Sequence, residues 1–207
     1  MFRGPPNRRG PAAPTPRERA ASGAPASTAD LAAISQAAYE GRNERPEQIG
    51  DLTLDPELST RRTAFYHNNA TGETVQGNRG TVATSGKDLL ADAAIATGTF
   101  GASSRLKKAT QQARAAEAKY GAAPTETGHS LGGTTAEYVA SKTGARSTVF
   151  NPGASPLEPG RANEKTTTVT TGVDPISYFS RYSAGMHQTV RPSSANVHGI
   201  ANFTKRR

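Results

Sequence analysis

Ser130 stands between glycines two residues before and two after, in Gly128-His129-Ser130-Leu131-Gly132, and that arrangement suits a nucleophile. Glycine at both flanks lets the backbone take a sharp strand-to-helix turn, leaving the serine hydroxyl proud of the sheet above a helix N-terminus. A serine hydroxyl becomes reactive when a base takes its proton, and the base needs an acid to orient it. Both follow Ser130 in the chain order Ser, Asp, His. Asp174 is the one aspartate after Ser130, and it comes directly after the run Thr166 to Val173, whose threonines and valines favour a strand. Pro175 then ends that strand and starts a turn. A carboxylate in that place faces the crevice at the C-terminal ends of a parallel sheet.

Two histidines compete for the base. His198 lies in a loop rich in Ser, Asn and Gly, where catalytic groups are commonly carried, whereas His187 lies in the alternating stretch Met186 to Arg191, which reads as a strand. Position favours His198 and leaves His187 as the alternative. His129 is expected to pack and hydrogen-bond beneath the turn. The candidate catalytic set is therefore Ser130, Asp174 and His198, and its chemistry is acyl transfer. It needs neither metal nor cofactor, and the chain has no cysteine and no His/Asp cluster at metal-ligand spacing.

The elements that must position these groups alternate along the chain. Ala29 to Glu40 reads as a helix with Leu31, Ile34 and Ala38 on one face. Thr63 to His67 and Glu73 to Arg79 read as a hairpin at a sheet edge, and Lys87 to Ala96 as a helix. Ser103 to Tyr120 reads as a longer helix with Leu106, Ala109, Ala113, Ala116 and Tyr120 inward, and with Arg105, Lys107, Lys108 and Lys119 on a solvated face. Thr125 to Thr127, Ser147 to Asn151 and Met186 to Arg191 add strands, and Thr134 to Lys142 a helix. This alternation predicts an α/β fold, a mostly parallel sheet flanked by helices with an N-terminal edge hairpin.

Thr127-Gly-His-Ser-Leu-Gly-Gly133, with Arg79-Gly80-Thr81 about fifty residues earlier and Asp88-Leu89-Leu90-Ala91-Asp92 after it, resembles the class 3 lipase family of α/β-hydrolases. Thr171-Gly-Val-Asp-Pro-Ile-Ser177 and His198-Gly-Ile-Ala-Asn-Phe203 look like the acid and histidine blocks of its short bacterial and viral members. The resemblance covers roughly residues 60 to 204. It implies an α/β-hydrolase domain acting on lipid or other ester substrates, with the backbone amides of Thr81 and Leu131 as the oxyanion hole. The chain departs from the pattern ahead of the serine turn, where Pro124 and Glu126 replace apolar residues, and ahead of Arg79, where Gln76-Gly77-Asn78 do. Glu126, Gln76 and Asn78 are expected either to form a polar network inside the sheet layer or to lie under a thin cover.

Composition limits the rest. With 34% apolar residues in 207 and a mean hydropathy of -0.63, the chain buries one modest core. No run of 18 apolar residues and no apolar leader occurs, so a soluble protein without signal peptide or membrane span is expected. Residues 1–28 carry six prolines and five arginines against Glu18, a net +4, and read as a disordered basic tail. Lys205-Arg206-Arg207 add +3, so of the formal +8 only +1 belongs to the domain at residues 29–204. Basic tails on a nearly neutral domain suit peripheral contact with an anionic membrane or nucleic acid, or simply solubility. Two other function classes fit the same features: a catalytically inactive hydrolase scaffold serving as a binding or virion-type structural protein, and a nucleic-acid-binding protein with an incidental motif. Oligomeric state has no signature in the sequence.

Overall fold

Helical and extended runs alternate as expected, and in the computed structural model, which describes residues 25–81, 104–154 and 162–204, they assemble into one eight-stranded sheet flanked by helices. Helix α1 spans Thr28–Ala37. Ser27 closes its N-terminus with a capping box: the Asp30 amide donates to Ser27 Oγ at 3.2 Å and the Ser27 amide to Asp30 Oδ2 at 3.1 Å. The Ala26 amide also donates to Glu73 Oε2 at 2.6 Å. Residues 25–28, assigned above to the basic tail, therefore pack on the fold. Residues 1–24 and 205–207, and the helix expected at Lys87 to Ala96, lie outside the described residues.

Strands β1 (Gln48–Ile49), β2 (Leu52–Leu54), β3 (Thr63–His67) and β4 (Thr74–Asn78) form an antiparallel meander. From β4 onward, β5 (Thr125–His129), β6 (Ser147–Phe150), β7 (Thr166–Thr170) and β8 (Met186–Thr189) pair in parallel. Order in space follows order in sequence. The β3–β4 hairpin is consequently not the edge. Two strands of two and three residues, too short to show a period, extend the sheet beyond it.

A parallel sheet that grows in one direction places its right-handed crossover helices on a single face. Helices α2 (Ser104–Tyr120) and α3 (Leu131–Thr143) lie on that face, and α1 covers the other together with the short C-terminal helix α4 (Ala201–Thr204). The α1 face is apolar. Leu31, Ile34 and Ala37 pack with Ala64, Tyr66, Val75, Phe150 and Val169, and the ring of Phe203 in α4 lies tilted against Phe150 with centroids 5.1 Å apart. The opposite face is lean, with Ala109, Ala113 and Val139 as its apolar cluster.

Beneath those alanines lies the polar network that the sequence raised as one of two outcomes. Asn78 Nδ2 donates to Glu126 Oε2 at 2.7 Å, and Gln76 Nε2 donates to Asn78 Oδ1 and to the Ala109 carbonyl, each at 3.2 Å. Strand register brings them together, since Gln76 pairs with Glu126 and Asn78 with Gly128. Gln76 Oε1 and Glu126 Oε1 have no partner among the described residues. Burial pushes the Glu126 carboxyl well above the usual range, against the Asn78 bond, so it is held as the neutral acid.

Candidate active site

Strand β5 passes into α3 through Ser130, whose backbone sits at φ 57°, ψ -130°, a region that costs a non-glycine residue of order 1–3 kcal/mol. The expected glycines make this turn possible by close approach. A Cβ on Gly128 would strike the Gly132 carbonyl, and one on Gly132 would strike the Asn78 carbonyl and crowd the Gly80 amide. Bare backbone at Gly132 thus lets the end of β4 run against the start of α3. Thr81 follows that strand end, and Leu131 opens α3 with an amide that has no intrahelical partner. The turn is also pinned to β6: the Ser130 amide donates to the Phe150 carbonyl at 3.1 Å, and the Ser130 carbonyl accepts from the Gly153 amide at 3.2 Å. These contacts correct one expectation. Ser130 does not stand proud of the sheet but is 2% exposed.

Strand β7 ends at Thr170, and the chain turns through Asp174. Asp174 Oδ1 accepts from the Ile176 amide and Oδ2 from the Ser177 amide, both at 3.1 Å, while His198 Nδ1 lies 2.8 Å from Oδ2. Burial alone would raise this carboxyl. The bonds from His198, Ser177 and Ile176 outweigh it and hold Asp174 below the usual range. An ionised Asp174 keeps the proton of a neutral imidazole on Nδ1, which leaves the Nε2 lone pair as the basic site. His198 Nε2 is buried and has no hydrogen-bond partner among the described residues. The bond from Ser130 to that nitrogen is therefore not formed. His187, the competing base, is exposed on β8 and its Nε2 meets the Ser183 carbonyl at 3.0 Å.

No protein-family model matches the chain, and no curated protein matches it. Among solved structures it is similar to a triacylglycerol lipase from Penicillium expansum, at 16% identity and a TM-score of 0.48, over 86% of this chain and 82% of that one.

Three residues hold the site together, and of these the sequence singles out His129 alone. His129 Nε2 lies 2.6 Å from the His198 carbonyl, and Asn151 Nδ2 donates to the same carbonyl at 3.0 Å. Asn151, at the end of β6 with φ 40°, also accepts the Thr171 amide at 3.0 Å on Oδ1 and so ties the acid loop to the histidine loop. Burial first, then the neighbouring His198, pushes His129 down to about 3, so its imidazole is neutral. With its proton on Nε2 donated to the His198 carbonyl, Nδ1 is left to accept from Tyr39 Oη at 3.0 Å. Tyr39 in turn takes a bond from the Gly80 backbone, and burial raises its phenol to about 12. One phenol and one imidazole thus connect Gly80, the serine turn and the histidine loop. The expected packing role of His129 agrees with this arrangement. These partners are 90 residues apart for Tyr39 and 47 for Asn151, which is why spacing could not reveal them.

Proposed function

We propose that the chain is a serine hydrolase cleaving carboxylic esters, a lipase or phospholipase-A-like esterase of the class 3 lipase type. Ser130 Oγ attacks the acyl carbonyl while His198 Nε2 takes its proton. The amides of Thr81 and Leu131 receive the oxyanion, each such donor being worth about 10²–10³ in kcat. His198 then returns the proton to the departing alcohol, and water repeats the sequence on the acyl-enzyme. The observation that carries this reading is the 2.8 Å pair between His198 Nδ1 and Asp174 Oδ2, held against the strained Ser130 turn through the His129 bond to the His198 carbonyl, with Nε2 unpartnered.

Turnover of p-nitrophenyl butyrate by the parent and Ser130→Ala tests the proposal. A fall of at least about 10⁴ is expected, and equal rates end it. The burial of Ser130 favours a second reading, the catalytically silent scaffold used for binding. A small fluorophosphonate separates the two, since it labels Ser130 only where His198 activates the hydroxyl. The basic ends are proposed as tethers to a polyanionic surface, and their removal would abolish any steeply salt-dependent binding.

A further inference from the structure

A strongly cationic cavity adjoins the Arg79-Gly80-Thr81 loop. A space of about 290 Å³ is lined by Arg61, Arg62, Arg79, Gly80, Thr81 and Arg105. Four of those six residues are arginines. Arg61, Arg62 and Arg105 also line a neighbouring space of about 510 Å³, to which Lys108 adds a fifth cation. No carboxylate is among the described residues lining either space, and the ion pairs between described residues involve other cations.

We propose that this cavity binds a phosphate group carried by the ester substrate, beside the Thr81 amide that would receive the oxyanion. The inference rests on the ester-hydrolase reading and names its substrate class: acyl esters with a phosphate a few bonds from the scissile carbonyl.

Three separate elements supply the guanidinium groups, namely the loop before β3 (Arg61, Arg62), the end of β4 (Arg79) and the first turn of α2 (Arg105). The Arg79 amide donates to the Arg62 carbonyl at 2.9 Å and keeps two of these elements in register. Like charges gathered in one recess repel each other and are retained at a cost in stability unless an anion neutralises them. The strain is visible at Arg105, which is half-buried rather than solvated as its helix position suggested. Burial, with Arg62 and Arg79 nearby, brings its guanidinium down to about 10, against the opposing influence of Tyr39. A single carboxylate matches one guanidinium bidentately, whereas a phosphate monoester carries about -1.5 to -2 charges and three acceptor oxygens. It is the better match for a recess lined by four arginines. Thr81 lines the same space, so a phosphate seated there lies next to the amide proposed for the oxyanion.

The test uses the full chain and three soluble probes: dihexanoyl phosphatidic acid below its aggregation limit, dihexanoylglycerol as the neutral counterpart, and inorganic phosphate. Arg61→Gln/Arg62→Gln removes two exposed guanidinium groups with little risk to folding, and Arg105→Gln removes the half-buried one. For the parent, kcat/KM is expected to favour the phosphate-bearing ester, and that preference should fall at least about tenfold in each variant. A preference that is absent in the parent, or unaltered in the double variant, overturns the proposal. Binding of inorganic phosphate, followed by calorimetry, is a readout independent of turnover. If the parent cleaves no ester yet phosphate binds and the double variant loses it, the hydrolase reading fails and the phosphate site stands. If esters are cleaved without preference and phosphate does not bind, the reverse holds. Adding phosphatidic acid vesicles distinguishes the sources. Saturation by the vesicles with no response to inorganic phosphate assigns a lipid headgroup, and saturation by both assigns the phosphoryl group itself.

Discussion

Asp174, in a loop beyond the sheet, and Glu126, within it, are both buried carboxyl groups, and they are held in opposite protonation states. Asp174, in the loop beyond β7, accepts three hydrogen bonds and is kept below the usual range even though burial opposes this. Glu126, the second residue of β5, accepts one bond from a neutral amide and has a second oxygen with no partner among the described residues. Burial then prevails and the group stays protonated. Glu126 has both the deeper burial and the fewer donors, and the two together decide the charge. A loop can turn its own amides toward a carboxylate. A mid-sheet strand has already committed its amides to its neighbours.

Substitutions that change the charge at each site probe this difference. Asp174→Asn should have the largest effect, a fall of about 10³–10⁴ in kcat for p-nitrophenyl butyrate, because the amide no longer holds the proton on His198 Nδ1. Unaltered kcat would remove Asp174 from the mechanism.

Glu126→Gln should act in the other direction. A folded-state pKa raised above the ordinary 4.5 gives stability that is present below that pH and is lost as pH rises through the folded value. The glutamine variant lacks this loss. Its melting temperature should exceed the parent's at pH 8 by about 2–4 °C for each kcal/mol recovered, with the difference shrinking toward pH 4. A pH-independent difference would mean that Glu126 is ionised in the fold. Asp174 has the opposite sign: its contribution is present above 3.8 and is lost as pH falls through its lower folded value. Parent and Asp174→Asn should therefore differ least in stability at the most acidic pH at which both remain folded.

The smallest effect is expected at Tyr39→Phe. Loss of the phenol removes the bond to His129 Nδ1 and frees the Gly80 amide without emptying the site. A fall of several-fold in kcat with KM unaltered is expected, and a rise in KM alone would assign Tyr39 to substrate contact.

Local chemistry made half of the site legible. The Ser130 turn shows in its paired glycines, Asp174 in being the one aspartate left downstream, and the Asp174 partner in a loop composition that favoured His198 over His187. The alternation of strand and helix gave the fold class, and Leu106, Ala109, Ala113 and Ala116 are buried along α2 as their spacing implies. What stayed hidden depends on contacts far apart in the chain. Tyr39, Asn151 and the arginine recess acquire meaning only once distant segments meet, and β1 and β2 are shorter than any period. Lys119 illustrates the same limit. Read as a solvated cation, it lies 2.9 Å from Asp55 and 2.7 Å from Glu57.

Strand order that copies chain order has a consequence for biosynthesis. Each strand, on leaving the ribosome, finds its sheet neighbour already made, so the sheet can be laid down from one side to the other. Helix α1 is the exception, because it emerges first and yet roofs β4, β5 and β6. Ser35 must wait 92 residues for Thr127, about 5–20 s at roughly 5–20 residues per second. Until β4 and β5 have emerged, Leu31 and Ile34 lack most of their cover, and a chaperone that grips short apolar helices would find its target there.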